Sequence, residues 1–215
     1  EEFRREARLT MKLEHPNILP IRDASFIDGH FVIVTPLAER TLDVRLKKRI
    51  AVETAFDIIE QLLDAVAYAH EHGVILCDIK PENVLMFPGN HIRLADFGIA
   101  KAAQKTISGS GTGTVGYMAP EQAMGKPSAK SDVFSIGLLA HRMFSGKWAE
   151  YPFRWPLPGA AQLRRRAHPD LIAIIRKSLS INPPQRFRDA SQMLQQWKKT
   201  RLKAIRYAKR RRSES

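Results

Sequence analysis

Pro81, in the segment Cys77-Asp78-Ile79-Lys80-Pro81-Glu82-Asn83-Val84-Leu85, constrains the chain more than any other residue. Its ring removes a backbone donor and fixes φ, and it pushes the residue before it into extended backbone. No helix runs through such a position, so residues 78–83 form a loop that feeds a strand at Val84–Phe87. Pro88-Gly89-Asn90 turns that strand, and residues 91–95 return to end at Asp96-Phe97-Gly98. The outer ends of an antiparallel hairpin are neighbours. Asn83 and Asp96 are therefore expected side by side, with Asp78 just upstream in the same loop.

Two oxygen ligands side by side suit Mg²⁺, which takes few protein ligands and completes its octahedron with phosphates and water. A third carboxylate nearby can accept a proton from a hydroxyl, and a lysine two residues on can neutralise a transferring phosphoryl group. These are the parts of phosphoryl transfer, where catalysis is positioning plus charge stabilisation.

The surroundings read as mostly helical. Residues 1–13 place Phe3, Ala7, Met11 and Leu13 among charges at helical spacing, ended by His15-Pro16-Asn17. Residues 18–25 and 30–35 read as strands joined by Asp28-Gly29, a pair that accepts the positive φ of a type I′ turn. Residues 52–72 form the strongest helix pattern, with Ala55, Ile58, Ile59, Leu62, Leu63 and Val66 in step and Gly73 as its left-handed stop. Ser, Thr and Gly dominate residues 105–114, which read as a mobile loop. Further helices are expected at about 129–144, 168–180 and 189–209, with no internal repeat. The predicted class is α+β, mostly helical with a small β portion at its front.

The segment around Pro81 resembles the catalytic loop of protein kinases, and Asp96-Phe97-Gly98 looks like the metal-binding triplet that follows it. Ala119-Pro120-Glu121 resembles the end of the activation segment. Asp132-Val133-Phe134-Ser135-Ile136-Gly137 looks like the anchoring helix, and Arg186 stands where the family pairs an arginine with Glu121. The resemblance implies a protein-kinase-like fold. Residues 1–36 would be a truncated N-terminal lobe of one helix and two strands, 37–197 the C-terminal lobe and 198–215 a basic tail.

It also implies roles. Asp78 would orient the substrate hydroxyl and accept its proton, and Lys80 would stabilise the phosphate. Lys80 is the feature closer to Ser/Thr than to Tyr kinases. Asn83 and Asp96 would hold Mg²⁺. Glu6 would pair with the nucleotide-binding lysine, and Thr114 would brace the catalytic loop. Val34 would be the gatekeeper, Thr35-Pro36-Leu37 the hinge whose Leu37 N–H meets the adenine of ATP, and Leu85 the residue beneath the ring. Asp132 would hold loop N–H groups, while Glu121 and Arg186 would form a buried ion pair. The substrate would be a protein Ser or Thr. A non-catalytic scaffold of the same fold is the alternative, although it has no chemical need for Asp78, Lys80, Asn83 and Asp96 together.

Two departures stand out. No Gly-rich loop or nucleotide-binding lysine precedes Glu6, and the sequence starts as if already inside a helix, so the chain is expected to be a fragment that alone binds ATP poorly. Leu76-Cys77-Asp78 replaces the family's His-Arg-Asp. Without that arginine, phosphorylation at Thr106, Ser108, Ser110 or Thr112 is not expected to be the main switch.

The net charge of +13 concentrates in residues 198–215, which carry nine Lys or Arg against one Glu. Such a tail either touches nucleic acid or anionic membrane nonspecifically, or is a solvated helix end. A single cysteine, no ~20-residue apolar span and no secretory signal favour a cytoplasmic protein. His70 and His72 could be read as a metal pair, but two apart they face different sides of a helix, and a helix end is a common place for His to meet carbonyls. Trp148, Phe153 and Trp155 form either a docking surface or loop packing.

Overall fold

The computed structural model describes residues 13–95 and 115–213, so the expected helix at 1–13 and loop at 105–114 lie outside the described residues, Leu13 excepted. A first antiparallel hairpin pairs β1 (Asp23–Ile27) with β2 (His30–Val34). Asp28 and Gly29 turn it with φ of 48° and 77°, the double positive φ expected of this pair. β1 starts later than predicted. Ile18 instead makes an isolated parallel bridge to Leu94, and Pro20 has no N–H to continue a ladder. Asn17 anchors this entry: it is buried, and its amide donates to Gln61 Oε1 and to the Ile92 carbonyl.

A second sheet joins β3 (Arg40–Thr41), β4 (Val84–Phe87) and β5 (His91–Leu94), with β4 central. Around it lie α1 (Leu42–Leu46), α2 (Val52–Glu71), α3 (Pro120–Ala123), α4 (Ala129–Ser145), α5 (Ala160–Arg166), α6 (Pro169–Ser178) and α7 (Ala190–Ser213). α1 and α5 were not expected from the sequence. Five residues are too few to show a period, and α5 buries only Leu163 beside three consecutive arginines.

α2 is the axle, with eleven buried residues that include all six of the predicted stripe, and Gly73 closing it at φ 74°. α7 packs along it. Trp197 is fully buried, its ring 4.7 Å from that of Phe56, and its indole N–H donates to the Phe56 carbonyl. The same face continues past the predicted tail boundary through Thr200, Ala204 and Ala208, all buried. The tail is thus one ordered helix with its start, and Arg201 pairs with Asp57 and Glu60 while Lys203 pairs with Asp170. No helix among the described residues is long and apolar enough to cross a membrane.

α4 is buried nearly all round, the pattern of a helix inside a core. Ser128 and Ser131 cap its start reciprocally, and Gly146 ends it at φ 70°. Gly137 lets α6 approach, since a Cβ there would lie 2.2 Å from Ser178 Oγ. The aromatic loop after α4 proves to be packing: Phe153 stacks edge-on against Phe134, and Trp148 against Tyr117.

His141 is the odd member of α4. It is fully buried, and neither ring nitrogen makes a hydrogen bond of good geometry to a described residue. Burial pushes its pKa from the ordinary 6.5 down to about 4, with the Pro158 carbonyl only partly opposing. The unfolded chain takes up this proton near 6.5 and the folded one only near 4. Stability should therefore rise with pH across that window, by about 3 kcal/mol from this residue, and stay flat above it. Urea unfolding of wild type and His141→Leu at several pH values measures the difference; equal slopes would rule the assignment out.

Candidate active site

Residues 76–83 are held in place by groups that the linear sequence scatters. Asp132, in the first turn of α4, is 1% exposed. Its two oxygens accept the N–H groups of Leu76 and Cys77, each at 2.9 Å. His70 adds a third bond, Nε2 to Asp132 Oδ2 at 2.9 Å. The Ala190 N–H donates to His70 Nδ1, so the proton sits on Nε2 and His70 donates it to the carboxylate. The end of α2, the first turn of α4 and the start of α7 thereby grip one loop. Held this way, Cys77 takes φ 60°, which costs an L-residue about 1–2 kcal/mol. Its carbonyl accepts from Gln122 Nε2.

Beyond this left-handed step, three polar side chains meet. Lys80 Nζ lies 3.1 Å from Asp78 Oδ2, with the two side chains only 18% and 11% exposed. The Pro81–Asn83 3₁₀ turn brings Asn83 back toward the loop, and its N–H donates to the Lys80 carbonyl. Asn83 Nδ2 then donates to the Asp78 carbonyl at 2.9 Å and to Asp78 Oδ2 at 3.2 Å. With its donor so engaged, the Asn83 amide turns Oδ1 the other way, where it bonds to no described residue. The Ala95 N–H donates to the Asn83 carbonyl at 2.8 Å, so the β4–β5 ladder continues one pair past its named ends. Asp96, the next residue, lies outside the described residues, as do Glu6, Phe97, Gly98, Thr114 and the hydroxyls at 106, 108, 110 and 112.

The expected nucleotide-side residues sit on one connecting stretch and the sheet it enters. Val34 ends β2 and is half-exposed, Thr35 is half-buried, and Leu37 is 95% exposed. Two residues further on, the Glu39 N–H donates to the Met86 carbonyl, and Thr41 pairs with Leu85. Leu37 and the half-buried Leu85 are thus joined by a short run of chain that pairs with β4.

Below the loop, Glu121 and Arg186 form a bidentate pair at 2.7 and 2.9 Å. The Arg186 side chain is wholly buried, lies 4.6 Å over the Phe134 ring and donates to the Ser180 and Lys130 carbonyls. Burial works to raise the Glu121 pKa, but bonds from Arg186 and Ser131 outweigh it and hold the carboxyl below its usual range. Nearby, burial pushes the Tyr117 phenol far above its ordinary value, and its oxygen accepts from Arg142 at 2.8 Å.

Residues 1–198 match the protein kinase domain family. The chain belongs to the protein kinase family. Among relatives of this chain, Ser/Thr-protein kinase PknA of Mycobacterium tuberculosis is 38% identical over 159 residues, covering 68% of this chain and 37% of the relative. PknB of Mycolicibacterium smegmatis is 31% identical over 217 residues, covering 89% of this chain and 34% of the relative. PrkC of Bacillus subtilis is 36% identical over 155 residues, covering 67% and 24%. The chain thus spans about a third or less of the length of these curated relatives.

Three contacts of this site escaped sequence reasoning. His70 orients Asp132; it falls four residues after buried Val66 on the α2 stripe, which is the signal the sequence offers. Gln122 and the Arg142–Tyr117 pair carried no signal, because their partners lie 45 and 25 residues away.

Proposed function

We propose that this kinase transfers the γ-phosphoryl group of ATP to Ser or Thr hydroxyls of protein substrates. The observation that carries the reading is the convergence of Lys80 and Asn83 on the same oxygen of Asp78, in a loop clamped through Asp132. Such a cluster is shielded enough for charges to act strongly and open enough to admit a hydroxyl.

In this reading Asp78 accepts a hydrogen bond from the substrate hydroxyl, aligns its oxygen on the γ-phosphorus and takes its proton as the new O–P bond forms. Lys80 balances the charge on the transferring oxygens. It also lies against Asp78, so the two act as one unit. Val34, Thr35, Leu37 and Leu85 line the adenine side, and Glu6 stands at the position that pairs with the nucleotide-binding lysine in the family.

The oxygen donors fit a hard cation. Asn83 offers an amide oxygen that bonds to no described residue, and among the described residues no group of three or more His, Cys, Asp or Glu forms a self-contained metal cage. A hard cation that takes few protein ligands, such as Mg²⁺, completes its shell with phosphates and water. Asn83 and Asp96 would hold Mg²⁺, which would neutralise the phosphate oxygens.

The product of the complete reading frame, given Mg²⁺, γ-labelled ATP and a generic basic protein, should place label on Ser and Thr and none on Tyr. An absence of label beside intact partner binding would favour a scaffold.

A further inference from the structure

On a face built by the α1–α2 connection, the end of α4, α5 and the end of α7, the chain encloses a groove of about 1090 Å³. Its floor is aliphatic, with Ile50, Val52 and Met143 all buried. Its walls carry Lys47, Lys48 and Arg49 from the connection and Arg165 from α5. These four are exposed and make no ion pair with a described residue. No acidic residue lines the groove among the described residues.

The frame of this groove is fixed. Arg142 is held by Tyr117 and Asp43, Arg166 by the carbonyls of Met143, Phe144 and Ile50, and Arg211 by the hydroxyl and ring of Tyr207. The four remaining cations therefore stand around a preformed concavity and repel one another, a cost relieved when an anion sits among them. Two of them are arginines, whose planar forks match phosphate in a bidentate manner.

The shape narrows the partner. Among the described residues no aromatic side chain lines the groove, so they offer nucleic-acid bases no stacking platform. A flat bilayer surface does not enter a concavity, whereas an extended peptide can lay an aliphatic side chain on the Ile50–Met143 floor.

We infer that this groove docks an extended, phosphorylated peptide segment of a protein partner, its phosphate held by Lys48, Arg49 and Arg165. The choice of phosphate over carboxylate rests on the proposed activity, whose products carry phosphate. The groove itself stands apart from the Asp78 cluster.

The test is fluorescence anisotropy without ATP, on the full chain at physiological ionic strength. The probe is a labelled degenerate peptide with a central phosphothreonine, compared with its unphosphorylated twin. The phosphopeptide should bind at least about tenfold tighter, and Lys48→Glu/Arg49→Glu/Arg165→Glu should remove that gain. Lys126→Glu/Arg154→Glu/Lys199→Glu, of equal net charge on exposed sites elsewhere, should weaken binding by less than about twofold. A milder Lys48→Gln/Arg49→Gln/Arg165→Gln variant with an unchanged melting temperature guards against misfolding. Equal binding of the two peptides, or equal loss in the two charge-reversed proteins, overturns the inference. So does tighter binding of single-stranded DNA or phosphatidylserine vesicles that the groove variant alone abolishes. A protein that binds the phosphopeptide yet transfers no phosphate contradicts the proposed activity and leaves the groove standing.

Discussion

Asp78→Asn should lower kcat for protein phosphorylation by about 10²–10⁴-fold, the usual worth of a positioned proton acceptor. The substitution keeps shape and one oxygen, so Lys80 Nζ and Asn83 Nδ2 can still meet an acceptor where Asp78 Oδ2 now lies. What disappears is the negative charge and the basicity. The clamp through Asp132 binds backbone N–H groups of Leu76 and Cys77 and is untouched, so the melting temperature should barely move. KM for ATP should stay within a few-fold, because in the proposed arrangement Asp78 meets the hydroxyl and not the adenine. Steady-state kinetics on the product of the complete reading frame, with a thermal melt beside it, separates the possibilities. Activity within about tenfold of wild type would show that another group takes the proton. A large fall in melting temperature would show that Asp78 is chiefly structural.

Much of this site was legible because its geometry is local. Pro81 forces a loop, Pro88-Gly89-Asn90 forces a turn, and the β4–β5 register then follows from chain length alone, down to Val84 opposite Leu94. The α2 stripe was equally plain, since one buried face repeats along twenty residues. What stayed hidden depends on tertiary neighbours. His70 could be placed on a helix face away from His72, but its partners on α7 and α4 could not be read from the sequence. Residues 198–213 looked like a charged tail, because the lysines and arginines outnumber the few small residues that face α2. Ala204 and Ala208 contribute almost nothing to a hydropathy pattern, yet both are buried. The basic groove had no sequence signature at all: Arg49 and Arg165 belong to separate elements, and α5 itself was unforeseen. The start of β1 was misplaced for a local reason, the missing N–H of Pro20, that apolar patterning outvoted.

Glu121→Ala should cost about 3–5 kcal/mol of folding stability, the largest loss expected of any single change outside the apolar core. The asymmetry of the pair sets this size. The Glu121 side chain is 14% exposed and the Arg186 side chain 0%, so deleting the carboxylate strands a guanidinium that cannot turn to water. Its remaining partners, the Ser180, Lys130 and Ile181 carbonyls and the Phe134 face, offer dipoles and no full charge. Ser131 also loses its acceptor on Glu121. Glu121→Gln keeps an oxygen for one fork arm and should cost less. Adding Arg186→Met to Glu121→Ala should recover much of the loss, since an apolar side chain of similar length needs no counter-charge. Because the folded Glu121 pKa is depressed, the pair stabilises the fold above the ordinary carboxylate pKa, and its contribution fades as pH falls through the folded value. Urea denaturation of wild type, Glu121→Ala, Arg186→Met and the double variant at neutral pH gives the cycle. If the double variant is no more stable than Glu121→Ala, the buried unpaired charge is not the source of the cost, and lost packing between α3 and the 180–186 loop must be.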